Sequence, residues 1–140
     1  MRINDERIKN LVSSFLKEIN SIDLVHEYLS DIIFVTRKTA RKDADDAIAY
    51  VVRNESKEVR SNPITKIQTY RICLIKEEVI ALSDAEILNT LAHEMSHILI
   101  KLDRTHRQLE SHILIERVCD VLAEHFFGFK KPKDSGIGYL

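Results

Sequence analysis

The stretch SDAEILNTLAHEMSHILIKL, from Ser83 to Leu102, predicts the most regular element of this chain. Ser83 followed three residues later by Glu86 is a capping box, in which each side chain satisfies a free backbone N–H at the start of a helix. The apolar residues that follow recur at helical spacing and share one arc of the helix surface: Ile87, Leu88, Leu91, Met95, Ile98, Leu99 and Leu102. The sequence therefore predicts one long amphipathic helix that packs this arc into a core.

Two histidines and a glutamate lie together at the edge of that arc, in the segment His93-Glu94-Met95-Ser96-His97. Residues four apart on a helix lie one above the other, so both imidazoles can reach a single metal ion. Glu94 lies about 100° around the helix from His93, where its carboxylate can act on a metal-activated water without binding the metal. The segment has the HExxH pattern of zinc-dependent hydrolases, which also arises by chance in unrelated helices.

A catalytic zinc ion needs a third protein ligand, because such sites use three and leave a fourth position open. Glu116 is the leading candidate, since it lies on a second predicted helix that can pack back against the first. Asp120 lies one turn later on the same face, and its carboxylate can accept a hydrogen bond from the non-ligating nitrogen of a histidine ligand. Asp103 and His106 are the alternatives for the third ligand.

The HExxH segment followed by Glu116 and Asp120 resembles the two-part motif of the gluzincin metallopeptidases, the thermolysin-like group. The resemblance implies one Zn2+ ion bound by His93, His97 and Glu116. It also implies that Glu94 is the general base and that Asp120 supports one of the histidines. It covers about residues 83 to 127, and in length the chain is most similar to the minimal single-domain members called minigluzincins.

The metzincin family offers a competing interpretation, since its third ligand follows the second histidine by six residues, where Asp103 stands in this chain. In that family the helix ends soon after the second histidine, normally at a glycine. Ile100 occupies that place, and the apolar arc continues to Leu102. An unbroken helix points Asp103 away from the metal and favours Glu116.

The chain on either side of the motif predicts an α+β domain. One or two amphipathic helices are predicted over residues 3 to 29, then a small sheet of about three strands, then the motif helix and a glutamate helix packed antiparallel. The strands are predicted at Ile32–Val35, Ile48–Val52 and Ile67–Ile75. A polar loop is predicted at Arg37–Asp46 and a turn at Ser61–Pro63. The last helix is predicted at Gln108–Phe127, with Gly128 as its C-cap. We expect residues 1–129 to form a single compact domain and residues 130–140 a flexible tail.

Composition narrows the class of protein. The chain has 140 residues, a net charge of −1 and 31% charged residues, which indicates one domain with a balanced surface and no nucleic-acid partner. No apolar run is long enough for a membrane span, and the N-terminus has no secretory signal. Cys73 and Cys119 are too few for a disulfide framework. They are expected to pack in the sheet and the core, and the alternative is a thiolate that blocks the zinc ion. We therefore expect a cytoplasmic protein without a membrane partner.

The expected activity is hydrolysis of peptide bonds in a peptide or protein substrate by a zinc-activated water, with Glu94 passing the proton to the leaving amine. The alternative is a regulatory metalloprotein with a single cognate protein partner or substrate, latent or inactive as a general protease. A third hypothesis is zinc-dependent hydrolysis of a non-peptide bond. The same site serves all three.

Substrate contacts are less constrained by the sequence. The segment Tyr70–Ile75 is either an exposed edge strand that pairs with an extended substrate or an interior strand without that role. His112 lies one turn before Glu116 and is a candidate oxyanion or substrate contact, or else a solvated helix histidine. Weaker candidates for the oxyanion contact are Tyr50, Tyr70, His106 and Tyr139. A tail ending in Gly136–Leu140 that folds over the cleft would keep the enzyme latent.

Overall fold

The computed structural model describes residues 2–20, 25–40, 47–59, 65–102 and 112–132, and within them the protein is α+β, as predicted. The helices are α1 (Glu6–Ile19), α2 (Lys76–Val79), α3 (Asp84–Leu102) and α4 (His112–Val121). The strands are β1 (Leu29–Val35), β2 (Ala49–Val59) and β3 (Thr65–Ile75). None of the helices in these ranges is both long and apolar enough to cross a bilayer.

Helix α1 begins at a side-chain cap and buries one face. The carboxylate of Asp5 accepts a hydrogen bond from the backbone N–H of Ile8 at 3.0 Å, which satisfies one free donor of the first turn. Its buried residues recur at helical spacing: Ile8, Val12, Phe15 and Ile19. The prediction of one or two helices over residues 3 to 29 is confirmed for α1. The second helical segment is a short 3-10 helix, Val25–Tyr28, and β1 begins directly after it at Leu29.

The sheet is small and mixed, with strand order β1-β3-β2. Strand β3 pairs in parallel with β1 and antiparallel with β2, so that Cys73 faces Ile33 on one side and Tyr50 on the other. The edge-strand hypothesis for Tyr70–Ile75 is therefore wrong: this segment belongs to the central strand, and both of its edges are already paired. In the part of the chain that the structure describes, the edges of the sheet are β1 and β2.

Strand β2 is longer than predicted. It continues past Val52 to Val59, and its pairing with β3 shifts register between Arg53 and Ser56. The second half of the strand is rich in charged and exposed side chains and lacks the apolar alternation by which strands are recognised in a sequence. Most of the predicted loop Arg37–Asp46 and the whole predicted turn Ser61–Pro63 lie outside the described residues.

One core joins α1, the sheet and α3. Its largest side chains without any exposure are Phe15, Phe34, Ile8, Ile19, Ile72, Leu74, Ile75, Ile87, Leu91, Met95 and Ile98. The segment after α4 also contributes to this core. The ring of Phe129 lies 5.7 Å from the ring of Phe15. The backbone carbonyl of Phe129 accepts a hydrogen bond from the side-chain amide of Asn89. The core therefore ties α1 and α3 to the segment that follows α4.

Candidate metal centre

The capping box at the start of α3 is confirmed. The backbone N–H of Ser83 donates to Glu86 Oε1 at 3.1 Å, and the backbone N–H of Glu86 donates to Ser83 Oγ at 3.2 Å. Arg7 anchors the same end, since its guanidinium donates to Asp84 Oδ1 at 2.6 Å and to the carbonyl of Leu82 at 3.0 Å. The start of α3 is thus fixed by its own cap and by α1.

Helix α3 carries the histidines into the interior. His93 is fully buried, and the side chain of His97 is 15% exposed. The sequence places both at the edge of the apolar arc, but the buried surface of α3 is wider than that arc and also includes Ala92 and Ser96. Ser96 satisfies its hydroxyl by donating to the carbonyl of Ala92 at 2.8 Å. Such burial requires that the polar atoms of His93 find partners within the protein.

Glu116 on α4 supplies one of those partners and joins the two histidines. Its Oε2 lies 2.7 Å from Nε2 of His93, and its Oε1 lies 3.3 Å from Nε2 of His97. Glu116 is 7% exposed, so this carboxylate has little access to water. Two imidazole nitrogens and one carboxylate therefore converge on a single point between α3 and α4.

Asp120 supplies the other partner of His93. Its Oδ1 lies 3.0 Å from Nδ1 of the imidazole, while the opposite nitrogen faces Glu116. Both acceptors are carboxylates, so His93 donates from both ring nitrogens and carries a proton on each. Asp120 thus holds the ring in an orientation that points Nε2 at the convergence point, which is how a carboxylate orients a metal-binding histidine.

The pKa values of this pair are strongly perturbed. Burial lowers the pKa of His93, but the hydrogen bonds to Asp120 and Glu116 outweigh it and raise the pKa to about 9. Burial raises the pKa of Glu116, but the hydrogen bonds from His93 and His97 outweigh it and lower the pKa to about 2. Near neutral pH, His93 and Glu116 are therefore an imidazolium and a carboxylate joined by a charge-assisted hydrogen bond.

Glu94 lies beside these groups on α3. It is 5% exposed, and its negative charge contributes to the raised pKa of His93. A buried carboxylate next to two histidines is suited to accept a proton, because its charge is poorly solvated. The structure thus brings together all five residues that the two-part motif singles out: His93, Glu94, His97, Glu116 and Asp120.

Cys119 was expected in the core, with a thiolate that blocks the zinc ion as the alternative. It is fully buried, and its Sγ lies in a group with one nitrogen each of His93 and His97 whose three atoms are all within 4.8 Å of one another. Its spacing was a usable signal, because a residue three positions after Glu116 shares that residue's helix face. The donor set of the site therefore includes a thiol.

The structure describes the side chains of two candidates for an oxyanion contact and leaves those of the other three undescribed. Tyr70 lies in the core of the sheet, and the Tyr50 side chain hydrogen-bonds with the Cys73 thiol. His112 begins α4, but its side chain lies outside the described part of the structure, as do His106 and Tyr139. Asp103, the metzincin-type alternative ligand, lies there too, whereas α3 runs unbroken through Ile100 to Leu102, in keeping with the predicted helix.

Comparison with protein-family models, with curated proteins and with solved structures finds no match for this chain. The site is therefore interpreted from its own chemistry. Two imidazole nitrogens and a carboxylate oxygen form a donor set that suits Zn2+, a borderline ion that binds nitrogen, oxygen and sulfur ligands. The residues at the convergence point of α3 and α4 fit such an ion.

Proposed function

We propose that this protein is a zinc-dependent peptidase in which His93, His97 and Glu116 bind one Zn2+ ion. The observation that carries the proposal is the convergence of both imidazoles on the Glu116 carboxylate, at 2.7 and 3.3 Å. Three protein ligands of the type His2Glu leave one coordination position free, which is the arrangement of catalytic rather than structural zinc sites.

The order of contacts between the helices supports the predicted antiparallel packing of α3 and α4. His93 contacts both Asp120 and Glu116, whereas His97, one turn further along α3, contacts the earlier of these two residues. Advancing along α3 therefore corresponds to moving backwards along α4. In this arrangement two residues four apart on α3, His93 and His97, face two residues four apart on α4, Glu116 and Asp120.

The residues around the metal position have separate tasks in peptide hydrolysis. A bound zinc ion would polarise the scissile carbonyl and lower the pKa of a coordinated water toward about 7. Glu94 takes the proton of the attacking water and delivers it to the leaving amine. Asp120 keeps His93 oriented and increases its basicity as a ligand. The burial of Glu94 and His93 excludes bulk water and strengthens these interactions.

An extended peptide substrate would pair with an edge of the sheet. The central position of β3 leaves β1 and β2 as the two edges, and β2 is the edge strand with the more extensive contact to α3. We therefore assign the substrate-pairing role to β2 instead of Tyr70–Ile75. The outer N–H and C=O groups of this strand would hold the peptide backbone next to the motif helix.

A second candidate function is a regulatory metalloprotein with a single cognate protein partner or substrate. The thiol of Cys119 beside the histidines favours it, since a fourth donor would restrain general proteolysis. Both cysteines are buried thiols without a disulfide, as is usual in the cytoplasm. Broad cleavage of casein separates the candidates: a general peptidase cleaves it, whereas the regulatory protein acts only with its cognate partner.

The proposal is tested by metal analysis of the wild type and of Glu94→Gln. We expect about one zinc ion per chain in both proteins, because Glu94 is not a ligand. Peptidase activity on casein or a peptide mixture is expected in the wild type and lost in the variant. Glu18→Gln, an exposed glutamate of α1, is the matched control and keeps both properties. A wild-type protein that takes up no zinc during metal-replete expression contradicts the proposal.

A further inference from the structure

The sulfur of Cys119 lies beside the two histidines of the proposed metal site. Its Sγ and one nitrogen from each of His93 and His97 are all within 4.8 Å of one another. Donor atoms around a tetrahedral zinc ion are roughly 3.3–3.6 Å apart, given metal–ligand distances of about 2.1 Å to nitrogen and 2.3 Å to sulfur. A contraction of at most about 1.5 Å, which side-chain rotation can supply, brings the three atoms into coordination geometry.

The helix places this thiol on the same side as the proposed third ligand. Cys119 follows Glu116 by three residues and Asp120 follows it by four, so all three side chains share one face of α4. That face meets the histidines of α3, as the contacts of Glu116 and Asp120 with His93 show. Cys119 is fully buried, so its sulfur is held at the interface of the two helices and does not face solvent.

We propose that Cys119 is a fourth, removable ligand of the metal ion bound by His93, His97 and Glu116, and that binding of its thiolate closes the site. The inference rests on the proposed zinc site and adds a regulatory feature to it. On ligation the Cys119 S–H bond breaks, its proton passes to solvent, and a sulfur–metal bond forms. Four protein ligands complete the tetrahedron, so no position is left for the water on which Glu94 acts.

The chemistry of the donor favours this assignment. Thiolate is the softest ligand that a protein offers, and zinc binds it readily alongside imidazole. A ligand set of two histidines, one glutamate and one cysteine has the closed coordination of a structural site while retaining the buried base of a catalytic one. The thiolate-bound form is therefore latent, and the peptidase activity of the wild type comes from the fraction of molecules whose sulfur is withdrawn, which opens the coordination position.

Cys73 offers an internal control. It is buried in β3, where its thiol hydrogen-bonds with Tyr50 and burial raises its pKa, so it stays a neutral thiol within the sheet. The two cysteines are thus alike in burial and in the absence of a disulfide. They differ in that only Cys119 belongs to the histidine group of the described structure.

The test is cobalt(II) titration of the metal-free wild type, Cys119→Ala, Cys119→Ser and Cys73→Ala. Thiolate ligation gives a sulfur-to-cobalt charge-transfer absorption in the near ultraviolet. We expect this absorption in the wild type and in Cys73→Ala, and its loss in both Cys119 variants while the bound cobalt per chain is unchanged. The serine variant keeps the volume of the side chain, so it covers failure of the alanine variant to fold. Zinc-loaded Cys119→Ala is then expected to be more active on peptides than the wild type.

The outcomes separate the two proposals. Cobalt bound by the wild type without the absorption overturns the role of Cys119 and leaves the zinc site standing. An absorption that persists in both Cys119 variants overturns it as well. A wild type that binds no cobalt overturns the metal site itself, and the thiolate proposal falls with it.

Discussion

The Nε2 atom of His93 lies 2.7 Å from the Oε2 atom of Glu116, although 23 positions separate the two residues in the chain. The contact joins α3 to α4 in the interior of the protein. Because the pKa of His93 is raised to about 9 and that of Glu116 is lowered to about 2, the pair is charged over most of the accessible pH range. Protonation of this pair therefore governs both the stability of the metal-free protein and its affinity for a metal.

The stability of the metal-free protein should be highest between about pH 4.5 and 6.5. The raised pKa of His93 contributes stability below its ordinary value of 6.5, and this contribution is lost as the pH rises toward about 9. The lowered pKa of Glu116 contributes stability above its ordinary value of 4.5, and this contribution is lost as the pH falls toward about 2. Urea denaturation of chelator-treated protein from about pH 2 to 9 measures both limbs of the profile, the loss of stability toward acidic pH and the loss toward alkaline pH.

Glu116→Gln is the control for this profile, since it removes the carboxylate that pairs with both histidines. It should abolish the acidic limb that Glu116 itself produces and reduce the alkaline limb. Asp120 still supports His93 in this variant, so the alkaline limb does not vanish. A wild-type protein whose stability increases between pH 6.5 and 9 would contradict the charge state assigned to His93.

Metal binding should release protons near neutral pH. His93 carries protons on both nitrogens in the metal-free protein, and a histidine ligand must free one of them. We therefore expect release of about two protons per metal ion bound at pH 7 to 8, one from His93 and one from the Cys119 thiol, and an apparent zinc affinity that increases with pH up to about 9. Calorimetric titration in buffers of different ionisation enthalpy gives the number of protons released. Binding without proton release at pH 7 argues that zinc uses other ligands.

Replacement of Glu116 and of Asp103 should show which of the two residues is the third zinc ligand. Glu116→Ala removes a carboxylate whose two oxygens lie 2.7 Å from His93 and 3.3 Å from His97, so bound zinc is expected to be lost or strongly reduced. Asp103→Ala should retain it, because α3 continues unbroken to Leu102. Zinc content after dialysis, together with a circular dichroism spectrum to verify folding, decides between them. The opposite pattern would move the third ligand to Asp103.

Asp120→Asn should weaken zinc binding by about 10–100-fold without abolishing it, since partners of this kind orient a ligand but do not bind the metal. The amide keeps the shape of the side chain and removes the charge that supports the Nδ1 proton of His93. Asp84→Asn is the matched control on α3, where the carboxylate forms an exposed ion pair with Arg7. Competition titrations against a chelator measure both affinities, and equal affinities in all three proteins would exclude a supporting role for Asp120.

The helices of the site could be predicted because their signals are local. The capping box fixed the start of α3, and the apolar arc showed that it does not break before Leu102. The four-residue spacing of Glu116 and Asp120 was enough to predict that both lie on one face of the next helix. The predicted end of this helix at Phe127 is close, because a π-helical turn over Leu122–Phe126 continues α4. Gly128 then adopts a φ of 81°, which is the left-handed conformation expected of a glycine that terminates a helix.

The sheet could not be ordered from the sequence. Strand order is a property of contacts distant in the chain, and β3 is as apolar as a central strand or a well-covered edge strand would be. The extension of β2 beyond Val52 was missed because its exposed charged residues carry no apolar alternation. Cys119 was assigned to the core because burial of a cysteine is common, and only the packing of α4 against α3 shows what its sulfur faces.

The core contact between Phe15 and Phe129 should be important for stability, because it links α1 to the segment after α4. Phe15 is fully buried, and its ring lies 5.7 Å from that of Phe129. Phe15→Ala is expected to destabilise the protein by about 3–5 kcal/mol, through lost burial and the cavity left behind. Phe126→Ala is the matched control: this ring is 48% exposed, so its loss should cost less than about 1 kcal/mol. Urea denaturation at fixed pH measures both changes, and comparable losses in the two variants would show that the Phe15 contact contributes no more than a surface aromatic.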